Sequence, residues 1–253
     1  MINDKDEKLA EEHRPEAIRE RLKNPAKHHV ISDAVLGGID GCVTTFAVVS
    51  GAVGAGFSPA VALVLGFANL IADGFSMAIS NYESINTQLE YAESIRRTEQ
   101  EHIEQIPAGE KEEIRQIFQK KGFSGDVLEK IVDTICKDSR IWIDTMLTEE
   151  HDIQKTVPSP VKSAITTFIA FLVIGAIPLT PFMFQQLEIQ SQFIISTALA
   201  AIMFFFIGTM KSLIFSKPVL ISGIKTLFTG GTAAFLAYLT GYLLKVFLGV
   251  AGT

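Results

Sequence analysis

Cysteine is scarce in this chain of 253 residues: Cys42 and Cys136 are the only two. One lies in an apolar stretch and the other in a charged one, so no disulfide framework is expected and each should pack as a small hydrophobe. A phosphate-cradling glycine loop is missing as well. No G-x-x-x-x-G-K-[ST] occurs, and "GIKT" at 223–226 lacks the upstream glycine spacing, which argues against a nucleotide-driven pump. Histidine is sparse, with 5 residues set mainly in the polar segments, and no Ser-His-Asp constellation can be assembled from them. The opening 29 residues interleave acids and bases around no apolar core, so they do not read as a cleaved secretory leader.

The absence that organises the rest is one of charge. Between Asp40 and Asp73 no charged residue occurs, and between Lys162 and Lys211 the only one is Glu188. Residues 1–30 and 82–157 are densely charged instead. A helix crossing a hydrocarbon core of about 30 Å needs roughly 20 mostly apolar residues. Five segments meet that: about 31–54, about 59–81, "SAITTFIAFLVIGAIPL", "FIISTALAAIMFFFIGTM", and the stretch around "TLFTGGTAAFLAYLTGYLL". The glycine-rich, proline-ended "GAVGAGFSP" is the turn between the first two. The fold class expected is therefore an all-α membrane protein of five transmembrane helices, with a helical insert between the second and third.

Cations kept on the cytosolic side set orientation. Arg19, Arg21, Lys23 and Lys27 precede the first span, the 1–2 and 3–4 connections hold no Lys or Arg, and the 4–5 connection holds Lys211 and Lys217. The N-terminus and the insert are thus expected in the cytosol and the C-terminus outside. Four regions result: a cytosolic segment 1–30, spans one and two over 31–81, a cytosolic helical metal-binding domain 82–158, and spans three to five over 159–253. The second span should run on into the insert as a rod stopped by Pro107 and Gly109, with three short helices after it. From Glu83 to Lys162 there are 17 acids against 11 bases, an excess that favours cations over nucleic acid as partners.

Within the apolar runs stand a few polar groups. Asp33 and Asp40 are seven residues apart and share one helix face; Asn69, Asp73 and Met77 step by four along another. A charge near the bilayer centre costs at least about 2.5–3.5 kcal/mol, so such groups line a cavity, pair or stay protonated. Asp40 lies about 13 Å inside a helix starting at Ile31, too deep for a short side chain to reach water. Gly37 and Gly41 beside it invite close helix approach. Oxygen ligands suit hard divalent cations and a thioether leans to softer ones, so Asp with Met suggests a first-row metal such as Fe2+. A carboxylate that gives up its proton to bind a metal couples the two ions, which suggests metal–proton exchange.

In the insert, Glu101 and Glu104, then Glu110 and Glu113, form two i, i+3 pairs on either side of Pro107, and Met146 and Glu150 share a face farther on. Inward-facing Glu-x-x-Glu or Glu-x-x-His pairs are how helical bundles build iron and manganese sites. A glutamate-rich helix taken alone is a solvated face; folded-back pairs combined with an acid-lined apolar region point to metal. Glu99, His102, Glu112 and Glu149 read as solvated neighbours, with His102 or Glu112 as a potential extra ligand.

These residues resemble the vacuolar iron transporter family. "SDAVLGGIDGCVTTFAVVSG", "ADGFSMAISNY", the insert with its paired glutamates and "WIDTMLTEE", and three further spans carry the likeness from about residue 29 onward. It is similar to bacterial-type members that carry a cytosolic metal-binding domain. The resemblance implies a homodimer in the lipid bilayer that moves Fe2+, with Mn2+, Zn2+ or Co2+ as further candidates, out of the cytosol in exchange for protons and without an organic cofactor. The membrane would be a bacterial inner membrane or a eukaryotic vacuolar one. Asp40 and Met77 would be metal sites in the membrane, Asp33 would lie nearer the entrance, and Glu101, Glu104, Glu110, Glu113, Met146 and Glu150 would form the cytosolic set. Leu147 stands where a second methionine can follow the first, and Asn69 where an acid is expected, with Asp73 one turn on.

The contrasting reading is a membrane-anchored di-iron binding or iron-oxidising protein built on the Glu pairs. Scarce histidine argues against it, because such bundle sites usually include two imidazoles.

Overall fold

In a computed structural model the described residues are 9–23, 29–154, 156–184, 186–215 and 218–249. Lys27 and Lys217, two of the cations used for orientation, lie outside them. Regular structure among the described residues is helical, with no strand. The helices are α1 (Pro15–Lys23), α2 (His29–Ala55), α3 (Pro59–Gln105), α4 (Pro107–Lys120), α5 (Gly125–Cys136), α6 (Ser139–Glu149), α7 (Pro160–Gly175), α8 (Ile189–Phe215) and α9 (Val219–Leu248), with a 3-10 segment over Ile177–Met183. Two compact units result, one formed up to Gly74 and again from Thr166, the other by Phe75–Ile165.

Helices α2, α3, α8 and α9 are each long and apolar enough to cross a membrane, and α7 with the 3-10 segment makes a fifth span if that bent pair counts as one. The protein is an all-α membrane protein. Its outward apolar side chains fit that environment: Ile194, Ile202, Phe228 and Phe235 are all exposed, as lipid contact requires. The bend in the third span, 40°, falls at Ala176, two residues before Pro178, which cannot donate a helical hydrogen bond. Polar side chains of α8 bind carbonyls of the segment after the bend: Ser196 Oγ donates to the Pro178 oxygen at 2.6 Å and Gln192 Nε2 to that of Phe184 at 3.0 Å.

In the first unit α2 packs against α8 and α9 around Cys42, Phe46, Ala200, Phe204 and Ala234. Backbones touch where glycine permits. A Cβ on Gly37 would collide with the Thr167 carbonyl, and one on Gly41 with Phe171; the partner that these glycines admit is α7. Gly54 likewise meets Tyr238 of α9. Both cysteines are free, Cys42 buried and Cys136 half-buried.

The second unit contains the end of α3 and the three short helices. Contrary to expectation, Gly109 stops nothing: the break is at Ile106 alone, Pro107 opens α4, and Gly109 lies within it. Proline suits the first turn because its missing N–H has no helical acceptor there. Gly122, with φ of 96°, supplies the left-handed residue that ends α4, and the Phe123 N–H closes on the Phe118 carbonyl at 3.2 Å. The third short helix ends at Glu149, and Asp152 turns left-handed just beyond it at φ 53°. Ile114, Leu128, Val132, Trp142 and Met146 form the core. Ion pairs fasten its surface. Arg115 grips Glu129 through two nitrogens at 2.8 and 3.0 Å and also Glu112, Lys111 meets Asp133 at 2.7 Å, and Lys121 meets Glu149.

Candidate functional site

The polar half of α3 turns one stripe inward. Ile95, Glu99 and Ile103 step by four along it, and Glu99 is buried to 3% exposure while its two isoleucine neighbours are half-buried. Glu99 therefore occupies a position in an apolar register. Glu101 and Glu104 point the other way and are exposed, and Glu104 accepts a hydrogen bond from Gln100 at 3.2 Å. The pair that α3 carries to the cluster is Glu99 with His102.

The single-residue link at Ile106 folds α4 back so that Glu110, 2% exposed, faces this pair. His102 Nδ1 lies 3.4 Å from Glu110 Oε1. From the end of α6 come Glu150 and His151. Arg96 holds that helix by binding Asp144 at 2.8 Å, and the His151 and Ile153 N–H groups close on the Met146 and Leu147 carbonyls at 3.3 and 2.9 Å. His151 Nε2 then sits 3.0 Å from Glu99 Oε1 and 3.9 Å from Glu150 Oε2.

Two groups of three donors result, Glu99–His102–Glu110 and Glu99–Glu150–His151, with the donor atoms of each within 4.8 Å of one another. Glu99 Oε2 and Glu110 Oε2 are buried without a hydrogen-bond partner. Each of these carboxylates thus engages an imidazole through one oxygen and leaves the other bare. A buried anionic oxygen without a donor is costly unless a proton or a cation meets it. Burial first, then the charges of Glu113 and Glu99, push the Glu110 carboxyl up to about 7. Glu113 is exposed, yet desolvation and the nearby Glu150 and Glu99 raise it as well. The geometry and charge fit a divalent cation.

The remaining residues of the expected cytosolic set divide. Glu110 and Glu150 belong to the two donor groups, Glu113 is an exposed neighbour whose charge acts on them, and Met146 is fully buried among Ile114, Val132 and Trp142. Glu112 and Glu149 are taken by Arg115 and Lys121. Glu99, His102 and His151 enter the cluster although the residue pattern assigned them no leading part. Two signals for the first two were available: the apolar register of Glu99, and the Glu-x-x-His spacing of Glu99 with His102. Nothing local distinguishes His151. With two of the chain's histidines present, scarcity of imidazole no longer argues against an iron-oxidising centre.

In the first unit Asp33 is buried and Asp40, Asn69 and Asp73 are half-buried. The carboxylates of Asp40 and Asp73 lie within electrostatic reach of each other. Gly37 and Gly41, which flank Asp40 in the sequence, are pressed against α7. Asn69 Nδ2 and Thr45 Oγ1 are buried without hydrogen-bond partners, and Thr45 carried no sequence signal. Met77 is half-buried on α3 in the second unit.

Residues 31–242 match the model of the VIT family. The chain is 30% identical over 228 residues to a vacuolar iron transporter of Toxoplasma gondii, covering 87% of this chain and 76% of that one. Similarity to a vacuolar iron transporter of Plasmodium berghei is 29% over 238 residues, 88% of this chain and 87% of the relative. With vacuolar iron transporter 1 of rice, Oryza sativa subsp. japonica, identity is 26% over 220 residues, 85% and 87% of the two chains.

Proposed function

This chain belongs to the VIT family, and from that premise we propose that it moves Fe2+ out of the cytosol across a membrane in exchange for protons, as a secondary transporter and not an enzyme. One observation carries the cation side of the reading: Glu99 and Glu110 are almost inaccessible, and each keeps a carboxylate oxygen with no donor. Two neighbouring carboxylates in such a place hold either a proton or a metal ion. Because Glu110 is held near 7, cation capture at neutral pH displaces a proton there.

In this reading the cluster gathers metal on the cytosolic side. Asp33 stands near the entrance of the membrane path, Asp40 and Met77 ligate the ion within it, and Asn69 and Asp73 line the same path. The support is chemical: these are the acids, amide and thioether of the first two spans, and groups of that kind persist in lipid where an ion must shed water. Mn2+, Co2+ and Zn2+ are candidate alternative cargoes. Two copies form the working unit, with the N-terminus and the insert in the cytosol and the C-terminus outside, as the distribution of Lys and Arg suggests.

Reconstitution into proteoliposomes tests the proposal. Anaerobic Fe2+ uptake should depend on an imposed pH gradient, and metal entry should alkalinise the lumen as protons leave it. Uptake indifferent to the gradient removes proton exchange. The two imidazoles in the cluster favour one competing reading, an iron-oxidising centre; oxygen consumption by the full chain with Fe2+, above the rate in buffer, would support it over transport.

A further inference from the structure

The two groups of donors have the same make-up. Each contains two carboxylates and one imidazole, each uses Glu99, and each takes its nitrogen from a different segment: His102 from α3 and His151 from beyond the end of α6. In each group the nitrogen facing the carboxylates is a specific one. His102 presents Nδ1 and His151 presents Nε2. An imidazole that ligates does so through one neutral nitrogen while the other carries the proton, so both rings can offer a lone pair to the same interior at once.

We propose that His102 and His151 are metal ligands that split the cluster into two positions sharing Glu99, and that they set its preference for borderline first-row metals over hard cations. This rests on the cluster being the cation site of the proposed function, and adds which ions it selects. The donor chemistry gives the reason. Mg2+ and Ca2+ are bound through oxygen, and Mn2+ suits carboxylate and water. Imidazole suits Fe2+, Co2+ and Zn2+, for which affinity rises along the first row as nitrogen enters the ligand set. An all-carboxylate cluster in the cytosol would compete poorly against abundant Mg2+. One nitrogen per position tilts the balance without giving up the carboxylate charge.

A purely structural role is the alternative to exclude. Each ring stands beside a carboxylate, His151 at 3.0 Å and His102 at 3.4 Å, and would serve as a neighbour even if no metal came. Glutamine separates the two roles, since its amide still donates a hydrogen bond but brings no ring nitrogen.

The test uses the full chain in detergent, purified without a polyhistidine tag, as wild type, as the single variants His102→Gln and His151→Gln, and as the double variant. Zinc-edge X-ray absorption of the Zn2+-loaded wild type should show the outer-shell scattering of imidazole, reduced in each single variant and lost in the double one. Competition titrations with Zn2+, Co2+ and Mn2+ should show the Zn2+-to-Mn2+ affinity ratio falling by at least about tenfold in the double variant. Mn2+ affinity itself should change less than about threefold, on the same argument from its oxygen preference. Absence of imidazole scattering from the wild type, or an equal fall for Zn2+ and Mn2+, overturns the assignment. Glu99→Gln separates the two layers of the argument. Metal binding that survives it overturns the cluster as the cation site; binding lost in Glu99→Gln, with the Zn2+-to-Mn2+ ratio unchanged in the histidine variants, overturns the imidazole assignment alone.

Discussion

His151 Nε2 lies 3.0 Å from Glu99 Oε1, across 52 residues of sequence. That contact joins the end of α6 to the inward stripe of α3 and leaves the second oxygen of Glu99 buried without a donor. The same arrangement recurs at Glu110, whose neighbour is His102. Two bare carboxylate oxygens in one interior give the cluster its demand for a proton or a cation.

Glu99→Gln and Glu110→Gln should each weaken Zn2+ or anaerobic Fe2+ binding by on the order of tenfold or more, because each removes a buried anionic donor. Glu101→Gln and Glu104→Gln, on the exposed face, should change affinity by less than about twofold, as solvated surface charges do. Calorimetric titration of the four variants checks this. Equal effects in both pairs would place the donors elsewhere on α3.

Metal affinity should rise with pH. The Glu110 carboxyl is raised from 4.5 to about 7 and Glu113 is raised too, so below neutrality a bound proton must leave before a cation enters. For one displaced proton the affinity gains up to about tenfold per pH unit below that midpoint. Titrations at pH 6 and pH 8 should differ accordingly, and Glu110→Gln should flatten the dependence.

The metal-free protein should show the opposite trend in stability. Since the folded-state value for Glu110 lies above its ordinary 4.5, its contribution is fully present below 4.5 and is lost as pH rises through about 7. Melting of the metal-free chain should move to lower temperature between pH 5 and pH 8, and added Zn2+ should restore it most at the higher pH. A melting temperature that climbs over this range would contradict the placement of Glu110.

Gly37→Val should destabilise the first unit by about 1–3 kcal/mol or prevent its assembly, as overpacking does, because the added atoms would strike the Thr167 carbonyl. Gly231→Val is the control, since a Cβ there meets nothing. Thermal denaturation in detergent distinguishes the two.

Asp40→Asn should abolish proton-coupled Fe2+ uptake in proteoliposomes while leaving metal binding at the Glu99 cluster unchanged. Half-buried beside Gly41 and near Asp73, this carboxylate has charge to offer an ion within the membrane, and the amide does not. Unimpaired uptake would remove Asp40 from the path.

Much of this protein can be read from its residues in order. The five apolar runs, the continuation of the second span as a rod, and the three short helices all come from hydropathy, helical periodicity and turn chemistry. These are local properties: whether some twenty consecutive side chains tolerate hydrocarbon depends on nothing but those side chains. Glu110 and Glu113 could be singled out for a similar reason, since paired acids next to a proline turn are a local pattern, and so could Glu150 from its i, i+4 spacing with Met146.

Which donors meet is a different matter. Glu99 with His102 and Glu101 with Glu104 have the same spacing, shifted by two residues, and only the packed face of α3 separates them. Ile95 and Ile103 mark that face, but the packing of α4 and α6 decides it. His151 had no local signature because its neighbour stands 52 residues away. The segment after the bend in the third span is likewise held by another helix, through Ser196 and Gln192 on the Pro178 and Phe184 carbonyls. The sequence alone determined which runs suit hydrocarbon and that the described residues are helical, because burial and helix propensity sum along the chain. Tertiary structure alone decided which carboxylates lose water together, because desolvation and charge repulsion depend on distances that only folding brings within reach.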